Sequence, residues 1–210
     1  MIVTILSLFI FLRVITMNIF ETGNRQEVII DSNLTFEESV SGLEFPEEIK
    51  NNLKLTDVFY YSFDGKLHKG QVVIHKNLEN EIKDIFKQIE KSKFPIDKVI
   101  PICKYSWSDS ASMADNNTSA FNYRIIKGTK KLSLHSYGIA IDINPFLNPW
   151  VKGNEVDPHN AVYRPGEPGT LTSTSIVVQL FKDKGWQWGG DWKSYQDYQH
   201  FDKESVIKNY

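Results

Sequence analysis

Cysteine, arginine and long uncharged runs are what this chain has least of. Its single cysteine, Cys103, excludes an intramolecular disulfide and any zinc site built from several thiolates. With no histidine motif beside it, Cys103 reads as a small buried hydrophobe. Only four of the 24 basic residues are arginines, namely Arg13, Arg25, Arg124 and Arg164. Acidic and basic residues are interspersed and the net charge is −2. No basic run marks a nucleic-acid surface, and no acidic tail marks a solvated arm. Internal repeats are absent as well. What is present is enough apolar residue, 41% of 210, to bury one substantial core.

The longest apolar stretch is Met1–Phe20, broken by Arg13. Ile2–Leu12 has the length of a signal-peptide core, yet no Lys or Arg precedes it and no small-x-small site follows. Arg13 makes it poor as a span, which needs about 20 mostly apolar residues. We expect an export signal or uncleaved anchor, hence a cell-envelope or secreted location with membrane attachment through this segment. The competing reading starts the protein at Met17. Residues 21–52 are polar without sustained period and read as a lead-in or linker, so the domain is expected over 53–210.

Within that domain, Val58–Phe63 is aromatic and β-branched, Asp64-Gly65 is a turn signal, and Gly70–His75 reads as a second strand. Asn77 is placed to cap a helix with Leu78, Ile82, Ile85, Phe86 and Ile89 at helical spacing. Val99–Cys103 is a short strand, Ser106–Ser119 a Ser/Asp/Asn-rich loop, and Ala120–Ile126 a strand carrying Arg124. Asn144–Gly169 is rich in Pro, Asn and Gly and reads as a long irregular segment, which in a compact domain is more often functional than idle. A second helix, capped by Thr172 or Ser173, runs to about Lys184, with Gly185 as its stop. Tyr198–Phe201 is a last strand. The order β-β-α-β-β-β-α-β predicts an α+β domain with a mainly antiparallel central sheet flanked by helices.

The chemistry concentrates in two places. Ser133–Pro145 contains His135 and Asp142, seven residues apart. On one continuous strand an odd separation would put them on opposite faces. They converge only if Ser136-Tyr137-Gly138 turns the chain between them, and glycine suits such a turn. Asp142 and Ala140 then share one face of a strand whose other face is Ile139, Ile141 and Ile143. A carboxylate there is costly unless paired or bound to metal. Downstream, Asp197-Tyr-Gln-His200 supplies a second imidazole with another carboxylate beside it. Two imidazoles and a carboxylate form a zinc ligand set that leaves a fourth position open, with Asp197 free to act as a base. Each residue taken alone reads as well as a hydrogen-bonded core or surface group.

Ser133-x-His135-x-x-Gly138-x-Ala140-x-Asp142 with Asn144-Pro145, then Trp188-Gly189-Gly190-Asp191-Trp192 and Asp197-x-x-His200-Phe201, resembles the zinc D-alanyl-D-alanine carboxypeptidase and L-alanyl-D-glutamate endopeptidase family of bacterial cell walls. The resemblance covers roughly Phe59 to the C-terminus. It implies Zn²⁺ held by His135, Asp142 and His200, with Asp197 as general base and Arg124 steadying the oxyanion. The implied partners are peptidoglycan peptides. Ser133 and Trp188 are the candidate substrate contacts, against readings in which Ser133 holds the turn and at least two of Trp186, Trp188 and Trp192 pack in the core. His68, His75 and His159 are left outside the site. The signalling domain of hedgehog proteins looks like this fold with a similar zinc site, so a non-catalytic binding module is the alternative. A non-haem iron oxygenase fits less well, because its first histidine and carboxylate usually stand two apart.

Overall fold

The computed structural model describes residues 27–207. The apolar N-terminal stretch, with its expected signal or anchor, lies outside the described residues; among these no helix is long and apolar enough to cross a membrane.

The described part of the expected lead-in or linker, from Glu27 onward, pairs and packs with the strands that follow it. Strand β1 (Val28–Ile30) is followed by two single-turn helices, α1 (Phe36–Ser39) and α2 (Glu47–Lys50). A capping box at α1, Thr35 with Glu38, satisfies two amide groups that would otherwise lack partners. Phe36, Phe45 and Ile49 pack onto Val40, Leu53, Val73 and Phe121, a small second core. Strands β2 (Leu53–Tyr61) and β3 (Leu67–His75) form the longest hairpin, paired residue for residue, with β1 parallel to the other edge of β3. The Asp64-Gly65 turn signal sits between them.

Helix α3 (Glu79–Ser92) lies on this hairpin and buries Ile82, Ile85, Phe86 and Ile89. Each such side chain contributes about 1.5–3 kcal/mol relative to exposure. Next come β4 (Lys98–Val99), α4 (Asp109–Ala114) and β5 (Asn117–Thr118), which pairs in parallel with β4. The expected loop over 106–119 thus contains a helix turn, started by Ser108, whose hydroxyl accepts from the Ala111 amide. Residues 120–124 form no ladder; only Ile125 bridges to Leu132.

The remaining strands are short: β6 (Ala140–Asp142), β7 (Trp150–Lys152), β8 (Glu155–Asp157), and, after helix α5 (Ile176–Asp183), β9 (Gln187–Trp188), β10 (Gln196–Asp197) and β11 (His200–Asp202). The fold is mixed α+β, but among the described residues the strands divide into three three-stranded sheets and one pair rather than one central sheet. Two- and three-residue strands separated by turns cannot each extend a common ladder. Most pairings are nevertheless antiparallel. Ile139, Ile141, Ile143, Phe181 and Phe201 join the α3 residues in the main core.

Candidate metal centre and its cleft

Strands β6 and β11 carry the site. Their register sets His200 directly opposite Asp142 and Asp202 opposite Ala140, with Phe201 opposite Ile141 between them. Because side chains alternate, Phe201 and the isoleucines turn into the core while His200, Asp202 and Asp142 share the other face. The expected division of Ile139–Ile143 into two faces is the one found: all three isoleucines are fully buried in the core cluster.

His135 reaches the same point from outside the strand. It sits in a 3-10 turn, Leu134–Tyr137, that Gly138 ends at φ 65°. A Cβ on Gly138 would stand 2.7 Å from the His75 amide nitrogen, which itself donates to the Gly138 carbonyl at 2.7 Å. Only glycine permits both that φ and that approach. Ser133 starts the turn, its Oγ accepting from the His135 amide at 3.3 Å. That is the turn-holding role; Ser133 is buried, at the edge of the cleft.

The Nδ1–H of His135 donates to the Ala120 carbonyl at 2.5 Å, which turns Nε2 toward the other two residues. From that Nε2, His200 Nδ1 is 3.2 Å away and Asp142 Oδ2 3.3 Å; His200 Nδ1 and Asp142 Oδ1 are 3.0 Å apart. Ligands about 2.0–2.1 Å from a tetrahedral ion are about 3.3 Å from each other. One nitrogen from each histidine and the Asp142 carboxylate therefore stand at separations that fit Zn²⁺, and a two-nitrogen, one-carboxylate set is one that zinc accepts. On its far side, His200 Nε2 faces Asp202 Oδ2 at 3.6 Å, an acid that orients the ring. Sequence reading passed over Asp202, although its place two residues past His200 in a strand was a usable signal.

The charges interact strongly. Burial alone would raise the Asp142 carboxyl, but His135 and His200 hold it far below the usual carboxylate range. Burial depresses His200, and its contacts with Asp142 and Asp202 more than reverse this, pushing it up to about 10. Asp197 behaves oppositely: burial, reinforced by the Asp142 charge, pushes it up to about 7 against the pull of His200 and His135. Its Oδ1 is sealed and has no hydrogen-bond partner. Asp197 owes its place to Gly189, where a Cβ would stand 2.5 Å from the Asp197 carbonyl oxygen.

These groups open on a cleft of about 910 Å³. Arg124 lies on its wall, its guanidinium 2.9 Å from Asp109 Oδ2 and its Nε buried without a partner. Asp109 also accepts from Asn122 and was missed in the sequence, concealed in the polar run that proved helical. Trp188, expected to meet substrate, lies instead in the core, 3% exposed, its Nε1 donating to the Tyr198 carbonyl. Trp186 is likewise core, while Trp192 lines the cleft with Trp150 and Tyr195. Tyr195 stands between the two indoles, 5.7 Å from Trp150 and 5.2 Å from Trp192. His159 is exposed at the cleft, and His68 and His75 lie in β3, away from it.

Residues 127–203 match the family model described as D-alanyl-D-alanine carboxypeptidase. The similarity covers the site-bearing stretch, 77 of the 210 residues. The match takes in His135, Asp142, Asp197 and His200 and begins just past Arg124. No solved structure matches the chain. The matched stretch thus carries all three residues of the candidate metal centre, along with Asp197 beside them.

Proposed function

We propose that the chain is a zinc-dependent peptidase that hydrolyses bonds next to D-amino acids in peptidoglycan stem peptides, of the D-Ala-D-Ala carboxypeptidase or L-Ala-D-Glu endopeptidase type. The observation that carries this reading is the meeting of His135, Asp142 and His200 within 4.8 Å, beside a carboxylate with an unpaired sealed oxygen. When bound, Zn²⁺ supplies Lewis acidity and lowers the pKa of water toward about 7.

The chain's own residues do the rest. His135 and His200 each turn one ring nitrogen toward the centre; the other nitrogen of His135 donates to the Ala120 carbonyl, and that of His200 faces Asp202 at 3.6 Å. Asp197, with a carboxyl pushed up to about 7, is matched to accept a proton near neutral pH. It takes that proton from the attacking water and delivers it to the amine as the C–N bond breaks. Arg124 donates to the oxygen that becomes negative when water adds to the carbonyl, a contact whose loss typically costs about 10²–10³ in rate. Its ion pair with Asp109 aims the guanidinium. Such a substrate places the protein in the cell envelope or outside the cell.

The test is digestion of purified muropeptides, with mass spectrometry of the products, with zinc and with chelator. Cleavage next to a D-residue that chelator abolishes supports the reading, and the bond cut names the type. Binding without cleavage under every metal condition would instead favour a binding module.

A further inference from the structure

The segment 144–169, irregular in the sequence reading, holds a hairpin on which a second recognition site can be read. Strands β7 and β8 are joined by the two-residue turn Gly153-Asn154, and β7 pairs on its other side with β10. Asp197 is directly opposite Trp150, and Trp150 directly opposite Asp157. Directly opposed residues share a face. Asp197, Trp150 and Asp157 therefore form one row across the face of this small sheet, over two strand spacings, about 10 Å. All three line the cleft. Asp157 is exposed, and no ion pair among the described residues engages it. Beside the start of the row, Gln199 is 3% exposed and its Oε1 has no hydrogen-bond partner. It lines the same cleft and is an acceptor waiting for an N–H of a chain lying there.

An indole face next to a free carboxylate is a receptor for an organic cation. Resting on the peptidase reading, we propose that Trp150 and Asp157 form a subsite for a substrate residue bearing a free side-chain amine, two to three residues from the scissile bond. An extended chain advances about 3.3 Å per residue, so two residues and a lysine-length side chain span the row. The peptide backbone crosses the sheet face from Asp197 over Trp150, with Gln199 Oε1 accepting one of its N–H groups.

The probes are two stem-type peptides holding both an L-Ala-D-Glu and a D-Ala-D-Ala bond with L-lysine between, one with the lysine amine free and one with it acetylated. Zinc-loaded protein should cleave the free-amine peptide with kcat/KM about three- to tenfold higher. Asp157→Asn should bring that ratio to near one, and Asp157→Lys should shift preference to a peptide with glutamate at the same position. A ratio unchanged by Asp157→Asn overturns the subsite. A second arm titrates both peptides against zinc-loaded Asp197→Asn protein by tryptophan fluorescence. Tighter binding of the free amine supports the subsite even if the parent protein cuts neither peptide, an outcome that overturns only the peptidase reading. Equal binding overturns the subsite even if both peptides are cut.

Discussion

Replacing Asp197 by asparagine separates a catalytic carboxylate from a structural one, because the two roles move stability in opposite directions. The carboxyl is raised from 3.8 to about 7 in the folded chain, chiefly by burial. Its ionised form is therefore the one that folding disfavours. The cost is absent below about pH 4, where both states are protonated, grows as pH rises through the window from 3.8 to about 7, and is complete above it. At about 1.36 kcal/mol per pH unit the full figure is about 4 kcal/mol. Asp197 as a whole is only partly buried, and solvent screening brings a realistic value nearer 2 kcal/mol. Asp197→Asn removes the charge and keeps the shape. In chelator it should stabilise the chain by about 2 kcal/mol at pH 8, which for a domain of this size is a rise in Tm of about 4–8 °C. At pH 4 the difference should nearly vanish. Zinc, by favouring the ionised carboxylate, should narrow the pH 8 gap while turnover stays down by about 10²–10⁴. Urea unfolding at the two pH values, with and without zinc, measures all of this. A variant less stable than the parent at pH 8, or a gap that ignores pH, would refute the reasoning and make Asp197 an ordinary structural acid.

Arg124→Lys keeps the charge but loses the planar fork held by Asp109; kcat should fall by about 10²–10³ with a smaller change in KM, read from steady-state kinetics. Asp202→Asn should weaken zinc affinity by about 10- to 100-fold in competition with a chelator, since it removes the acid behind the His200 ring. For the parent protein, kcat/KM should climb with pH through an acidic limb at or below about 7, because in the proposed role Asp197 takes a proton only when ionised, and a nearby cation lowers its pKa. A rate that falls between pH 5 and 7 would contradict that assignment.

Much of the site was readable because its residues are tied to local signals. Gly138 after His135 announced the turn, and the isoleucine alternation around Asp142 announced its face. Helix α3 was legible from its apolar spacing, although it begins after a 3-10 turn at Lys76–Leu78 rather than directly at Asn77. Likewise α5 starts after Ser175, whose side chain makes no capping bond, not after Thr172 or Ser173. What escaped were contacts without a local period. The three-residue strands β7 and β8 are too short to alternate visibly, and only Gly153-Asn154 hinted at a hairpin. Trp188 was misplaced because aromatic residues beside glycines look alike whether they face a core or a cleft; burial against Tyr198 decided it. The lead-in looked polar because its small core is shared with β2 and β3, though Thr35-x-x-Glu38 was a cap in plain view.

Residues 135, 142 and 200 must hold one ion together for any of this chemistry to run. Zinc per chain should be measured by mass spectrometry of the metal content after dialysis, for the parent and for His135→Ala, Asp142→Ala and His200→Ala. We predict one zinc per parent chain and almost none in each variant, with peptide cleavage lost in step. Full zinc content after removal of any of the three, or a parent that binds none, would contradict it.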